Sequence, residues 1–262
     1  MKIVTMLTDF GYKDHYIAAM KGVILSICPD AQIVDVSHGV PSFDIISASY
    51  ILKAAYKYFP KKTVHVVIVD PGVGTSRKAI AIETKSYFFV GPDNGVLIPA
   101  AMDDGIRRVV EISGKYMRCR VSSTFHGRDI FAPVAAYIAC GVRLEEIGEV
   151  LHSYVAPKFV EPEFTDGKVR AKIIYIDKFG NAATNVSNEL VKKMGLKYGD
   201  KVKVEIKGQT IVLPFLPSFG YVGEGEGLLL INSEGYLELA VNLGSAAEKY
   251  GLNVGDEMLI YV

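Results

Sequence analysis

An acid and a base bracket a Gly/Pro loop in the stretch Val69-Asp70-Pro71-Gly72-Val73-Gly74-Thr75-Ser76-Arg77. The loop breaks from the apolar run Val64-His65-Val66-Val67-Ile68, which reads as a buried strand. Buried strands ending in such loops are where open α/β sheets hold ligands. Pro71 excludes a helix through Asp70, and the glycines let backbone approach a ligand closely. A plain turn with a surface ion pair accounts for the stretch equally well on its own. Among His15, His38, His65, His126 and His152, His126 is the candidate for chemistry. It sits in Thr124-Phe125-His126-Gly127-Arg128-Asp129, ahead of a small-residue helix, whereas His65 lies inside a strand and reads as a core residue. Asp9, in Thr8-Asp9-Phe10-Gly11, is either a turn former or helix cap, or a carboxylate placed to accept from two ribose hydroxyls.

The elements that must position these groups alternate. Residues 2–7, 32–36 and 63–69 read as strands, and residues 14–27 and 43–59 as helices; Ile17, Met20, Ile24 and Ile27 keep helical step. Such alternation means parallel pairing with right-handed crossovers, so Asp9, Ser37 and Asp70 come to one sheet edge. Residues 78–84 and 87–90 read as a hairpin, followed by the turn Gly91-Pro92-Asp93-Asn94-Gly95. Short strands are expected at 106–112 and 116–121, and a helix at 130–139 with Pro133 in its first turn. Prolines 157 and 162 mark an extended linker. The predicted organisation is an α/β domain with a mostly parallel sheet over residues 1–155, a linker at 156–167, and a strand-rich domain over 168–262. Strands are expected there at 168–176, 201–207, 210–213, 227–232, 236–241 and 257–262, a pattern for a small barrel or sandwich.

Composition removes several function classes. The 262 residues are half hydrophobic, and 29 Lys plus Arg balance 29 Asp plus Glu. With no net charge there is no global field to hold a polyanion, which argues against nucleic acid as a partner. No apolar run approaches the roughly 20 residues that span a bilayer, and Met1-Lys2 runs directly into Ile3-Val4 without a secretory pattern. Cys28, Cys119 and Cys140 are too widely spaced for a zinc motif, and an odd number gives no complete disulfide framework, favouring a reducing, cytoplasmic setting. No pair of histidines has helix-face metal spacing, so no metal is expected. The stretch from Phe219 to Gly227 lacks the Gly-Lys-Ser/Thr of a phosphate loop, Gly72-Val73-Gly74 lacks the third glycine of a dinucleotide fingerprint, and no Gly-x-Ser-x-Gly elbow occurs.

Seven motifs in order, each weak alone, carry a resemblance through nearly the whole chain. They are Thr8-Asp9-Phe10-Gly11 with Asp14, Ile27-Cys28-Pro29-Asp30 with Val34-Asp35-Val36-Ser37-His38, the 70–77 loop, Gly91-Pro92-Asp93-Asn94-Gly95, Phe125-His126-Gly127-Arg128-Asp129, Asp177-Lys178-Phe179-Gly180-Asn181, and Asn232-Ser233-Glu234-Gly235-Tyr236. In these the chain resembles the S-adenosyl-L-methionine (SAM) hydrolases, or SAM hydroxide adenosyltransferases, hydrolytic relatives of the fluorinase and chlorinase. The resemblance implies an N-terminal α/β domain joined to a β-barrel-like domain, and a homotrimer with active sites between subunits. It implies SAM and water going to adenosine and L-methionine, by displacement at ribose C5′. It needs no cofactor, and bound adenosine would be a natural co-purifying ligand.

Mapped onto this chain, the family's water-activating groups would be Asp70, Arg77 and His126, a water-holding site in which Gly72 and Gly74 would keep side chains out of the line of attack. Asp9 and Asn181 would hold the ribose, with Phe43 walling it where the fluorinase has tryptophan. Phe219 would lie against adenine, and backbone near Asn242-Leu243 would read its edge. Asp14, Asp177 and Ser233 would meet the methionine amino and carboxylate groups, with Phe179 and Asn232 in the same motifs. Two departures matter. Gly127 stands where the fluorinase has a serine that helps to hold fluoride, and Glu234 stands where the halogenases have arginine, so Glu234 must point away or find another partner. A slow chlorinase-like enzyme, and a SAM- or nucleoside-binding protein without turnover, are the competing readings.

Overall fold

Short apolar runs make the central strands of the first sheet, as burial on both faces requires. β1 (Ile3–Thr8) and β3 (Val64–Ile68) are buried along their whole length. The computed structural model describes residues 1–157, 161–165 and 167–261. Its chain divides into two compact units, Met1–Lys158 and Phe159–Val262.

In the first unit, β1, α1 (Tyr16–Ile27), β2 (Gln32–Ser37), α2 (Ile45–Ala55) and β3 alternate as expected. They are followed by β4 (Ala79–Thr84), β5 (Phe88–Pro92), α3 (Ile98–Asp104), β6 (Ile106–Ile112), α4 (Ala132–Ala139), α5 (Leu144–Ile147) and β7 (Gly148–Val150). The sheet order is β2-β1-β3-β5-β4-β6-β7. β1 pairs in parallel with β2 and β3, and β3 with β5, while β4 runs antiparallel between β5 and β6. The sheet is therefore mixed, with its parallel block beneath the candidate residues. One face packs Val4, Met6, Val66 and Ile68 against Met20, Ile24 and the α4 side chains. The other packs Val67 and Val69 against Ala48, Leu52 and Ile98.

Several boundaries differ from the sequence reading. α2 begins at Ile45 because Asp44 caps it, its carboxylate accepting from Ser47 N at 3.0 Å. That leaves Phe43 outside the helix with φ +68°. No strand forms over 116–121. The Arg118 N–H donates to Asp129 O and the Ser122 N–H to Asp129 Oδ2, both at 2.9 Å, so this backbone finds partners outside any ladder. Gly127–Phe131 is a π-helical turn running into α4, so helical backbone begins three residues before the expected start at 130, and Pro133 falls in the first turn of α4. Cys28 and Cys140 are disulfide-bonded, with Cα atoms 5.9 Å apart, and Cys119 is free and exposed. The odd cysteine count therefore does not argue for a reducing setting: α1 and α4 pack side by side and bring their C-terminal cysteines together, which sequence spacing does not reveal.

The second unit holds β8 (Glu163–Thr165), β9 (Lys168–Ile176), β10 (Ala182–Ser187), α6 (Asn188–Lys193), β11 (Lys201–Ile206), β12 (Gln209–Pro214), β13 (Gly227–Ile231), β14 (Tyr236–Val241), α7 (Ala246–Tyr250) and β15 (Glu257–Tyr261). Its antiparallel sheet runs β12-β11-β15-β9-β10-β14-β13, and a bridge from Phe215 to Leu229 brings the two ends almost to closure. Alternate residues such as Val202, Val204 and Ile206 face the core. β10 was not foreseen, since Ala-Ala-Thr-Asn-Val-Ser has little β-branched or aromatic character. β8 lies in what the sequence marks as linker. Residues 158–160 and 166 of that linker, and Val262 of the last strand, fall outside the described residues.

Candidate active site

β1 has β2 on one side and β3 on the other, so the chain leaves it in opposite directions. The crevice at the C-terminal ends of β1 and β3 is therefore a topological switch point. Asp9 follows β1 and Asp70 lies just beyond β3. Between them opens a pocket of about 380 Å³ whose walls include Asp9, Phe43, Asp70, His126 and Gly127.

Arg77 joins the other two members of the predicted group. Its Nε donates to Asp70 Oδ1 at 3.1 Å and its Nη2 to Asp70 Oδ2, a two-pronged pair. The same Nη2 lies 3.0 Å from His126 Nδ1, and Nη1 donates to Lys78 O at 3.0 Å. The guanidinium also stacks 5.4 Å from the centre of the Phe131 ring. The Arg77 and Asp70 side chains are only 8% and 5% exposed, so little water screens the pair. Arg77 stays charged and can only donate. His126 Nδ1 must then accept, and the ring hydrogen sits on Nε2. Burial, and next the Arg77 charge, push the His126 ring below its ordinary range, with Asp70 and Asp129 working the other way.

The loop glycines have reasons of their own. Gly74 has φ +76°, and a Cβ there would stand 2.1 Å from the Ser123 carbonyl oxygen. Its requirement is thus the seating of the 70–77 loop on the His126 segment, and clearing a line of attack is not needed to explain it. Gly127 is buried, and a Cβ would crowd Met20 Sδ at 3.1 Å and the Phe125 ring at 3.2 Å. Asp9 Oδ2 accepts from the Phe43 N–H at 2.8 Å, which ties the strained residue to the pocket rim. Asp14 is exposed ahead of α1 and does not line this pocket. Residues that the sequence reading did not single out as pocket walls include Tyr16, whose ring packs 5.0 Å from Phe125. Its helical spacing was visible, but its face was not.

The second unit carries the remaining candidates. Phe179, Asn181, Phe219 and Leu243 line a depression of about 460 Å³. Asp177 lies behind it: Oδ1 accepts from Phe179 N and Asn181 N, and Oδ2 from Asn181 Nδ2, all at 2.9 Å. Asp177 thus holds the turn that presents Phe179 and Asn181. Asn232 accepts from Glu234 N at 3.1 Å and Tyr236 N at 3.0 Å and shapes the turn bearing Ser233, whose hydroxyl lies 3.5 Å from Glu234 Oε1. Phe179 and Leu243 are 71% and 82% exposed, and Leu243 has φ +51°.

Another hollow, at the opposite edge of the first sheet, includes Lys62, Lys85, Arg107 and Arg143. It holds none of the proposed catalytic groups. Among the described residues no three His, Cys, Asp or Glu side chains gather as a metal site would need, and no helix is long and apolar enough to cross a membrane.

Comparison with known proteins covers both units. Residues 4–148 match the SAM hydroxide adenosyltransferase N-terminal domain and residues 171–259 the C-terminal domain of the same family. A protein of Methanocaldococcus jannaschii named (R)-S-adenosyl-L-methionine hydrolase is 37% identical, covering 99% of this chain and 96% of its own. A fluorinase of Actinoplanes is 29% identical over 97% of this chain and 95% of its own. The crystal structure of a conserved protein from Thermotoga maritima superposes with a TM-score of 0.92 at 41% identity, covering 99% of this chain and all of that one.

Proposed function

The chain belongs to the SAM hydroxide adenosyltransferase family, and from that premise we propose that it hydrolyses SAM, in the (R) configuration named for its relative, to adenosine and L-methionine. The observation that carries the reading is the Asp70–Arg77–His126 chain on the wall of a pocket that also presents Asp9. The sulfonium leaves as a neutral thioether, so no general acid is required. The demand falls on the nucleophile, which must sit in line behind C5′.

Water held here would meet three groups with distinct tasks. His126, with Nδ1 engaged by Arg77, offers the Nε2 hydrogen and orients the water oxygen. Asp70 takes the proton: each carboxylate oxygen accepts one Arg77 N–H and keeps a further lone pair. Arg77 keeps both partners in place and balances the carboxylate charge. Asp9 and Asn181 hold the ribose, Phe43 walls it, and Phe219 with backbone near Leu243 receives adenine. Asp14, Asp177 and Ser233 serve the methionine end. Gly127 supplies no hydroxyl for a halide, and the Asp70 carboxylate on the wall repels an anionic nucleophile.

Completion of the site by the second unit of a neighbouring subunit, in a homotrimer, belongs to this reading. It is supported by the family resemblance and by two separate depressions that each carry part of the candidate set. A cytoplasmic location also belongs to this reading, because a permanently charged sulfonium zwitterion does not cross a bilayer unaided; the Cys28–Cys140 disulfide removes the cysteine argument for it.

Hydrolysis in ¹⁸O water tests the reading. Label is expected in the adenosine 5′-hydroxyl. Dominant 5′-chloro-5′-deoxyadenosine in chloride would replace it with the halide reaction, and tight SAM binding with no adenosine would replace it with a binding protein.

A further inference from the structure

The Val34-Asp35-Val36-Ser37-His38 motif touches no reacting atom in the chemistry above, yet His38 is buried and bonded to Thr8, the neighbour of Asp9. We propose that His38 is a positioning residue that locks the 8–11 loop and so aims Asp9 at the ribose. This rests on the assignment of Asp9 to the ribose hydroxyls.

Both flanks of Asp9 are tied to this one residue. On one side Thr8 Oγ1 lies 2.8 Å from His38 Nδ1. On the other, the Gly11 N–H donates to the His38 carbonyl at 2.8 Å. Thr8 Oγ1 also accepts from the Phe10 N–H at 3.2 Å, so one hydroxyl joins the imidazole to the backbone beside Asp9. Nε2 lies 3.1 Å from Asp35 Oδ1, a close approach without hydrogen-bond alignment. Asp35 is held in turn by Lys21 Nζ at 2.6 Å and the Tyr12 hydroxyl at 3.0 Å, both on Oδ2. These partners keep the Asp35 carboxyl below its usual range although burial opposes them. Thr8 and His38 are almost wholly buried, so each lost partner leaves a polar atom without water.

A register shift makes the arrangement possible. Met6 pairs with Asp35 but Leu7 pairs with Ser37, so Val36 is an extra residue in β2. Such a bulge re-aims the following side chains. The Asp9 carboxylate itself is held at Oδ2 by the Phe43 N–H, and the direction of its remaining lone pairs is set by the loop backbone.

The test compares binding of adenosine and 2′,3′-dideoxyadenosine to the full-length protein by calorimetry, since only the first offers hydroxyls to Asp9. Asp9→Asn should abolish the preference for adenosine. His38→Ala should lower it about tenfold, the scale of one well-placed hydrogen bond to a charged group, while dideoxyadenosine binds as before. His38→Asn, which places an amide near the Nδ1 position, should restore most of the preference. Thr8→Val removes the same contact from the other side and should match His38→Ala, serving if that variant does not fold. Loss of preference in Asp9→Asn with wild-type preference in His38→Ala and Thr8→Val would overturn the proposal and leave the ribose reading intact. Unchanged preference in Asp9→Asn would instead remove the ribose reading, and this inference with it.

Discussion

Arg77 is the side chain on which the two neighbouring groups depend, because it bonds to both. A lysine could keep the charge but not the fork, and would release either Asp70 or His126. Arg77→Lys should lower kcat by about 10²–10³-fold with KM nearly unchanged, because the lost interactions serve the water and not the substrate; steady-state kinetics on SAM would measure both. A second residue bears on stability alone. His65 sits in β3 with Nδ1 2.8 Å from Thr5 Oγ1, and burial pushes its ring down to about 3 from the ordinary 6.5. The folded pKa lies below the unfolded one, so stability is full above pH 6.5 and is lost as pH falls from there toward 3. Between pH 7 and 5 this ring should cost about 2 kcal/mol, read by urea unfolding at each pH, and His65→Gln should lose correspondingly less.

At the scale of elements, the site depends on how two loops seat on one another. The 70–77 loop carries Asp70 and Arg77, and the segment before α4 carries His126. They meet where Gly74 lies against the Ser123 carbonyl. Gly74→Ala adds a methyl where backbone already stands and does so at positive φ, and should destabilise the protein by about 2–4 kcal/mol. Gly72→Ala places its Cβ 3.4 Å from Arg77 Cβ, an ordinary contact, and should be much milder in thermal melts and in turnover. Asp129 anchors the same segment: it is fully buried, binds the Arg128 guanidinium at 2.7 and 2.8 Å, and accepts from the Ser122 N–H. None of these tertiary contacts is periodic, which is why residues 116–131 were the poorest part of the sequence reading. The strand-helix alternation up to β3 was legible because apolar runs and helical step report burial directly.

At the scale of the whole molecule, the proposed site needs two units, and the proposed trimer supplies them from different subunits. Complementation measures this. Asp70→Ala and Phe219→Ala subunits should each be nearly inactive alone. Random co-assembly should return about a quarter of the wild-type sites, because a site drawing its first unit from one variant and its second from the other is intact. Activity that stays absent in verified hybrids would place both halves of a site in a single chain.

The α/β class of the first unit, the common edge shared by Asp9 and Asp70, and the strand-rich second unit could all be read from residue order. Each follows from local periodicity and from the handedness of strand-helix-strand crossovers, and these are properties of the chain itself. The motifs likewise brought Asp70, Arg77 and His126 into view as residue types. Folding alone decided that Arg77 binds both of its partners, that His126 carries its hydrogen on Nε2, that Gly74 seats against Ser123, and that Cys28 meets Cys140. Such contacts join residues far apart in the chain, and their distances and directions exist only once the packing of α1, α4 and the sheet has fixed where each backbone segment lies.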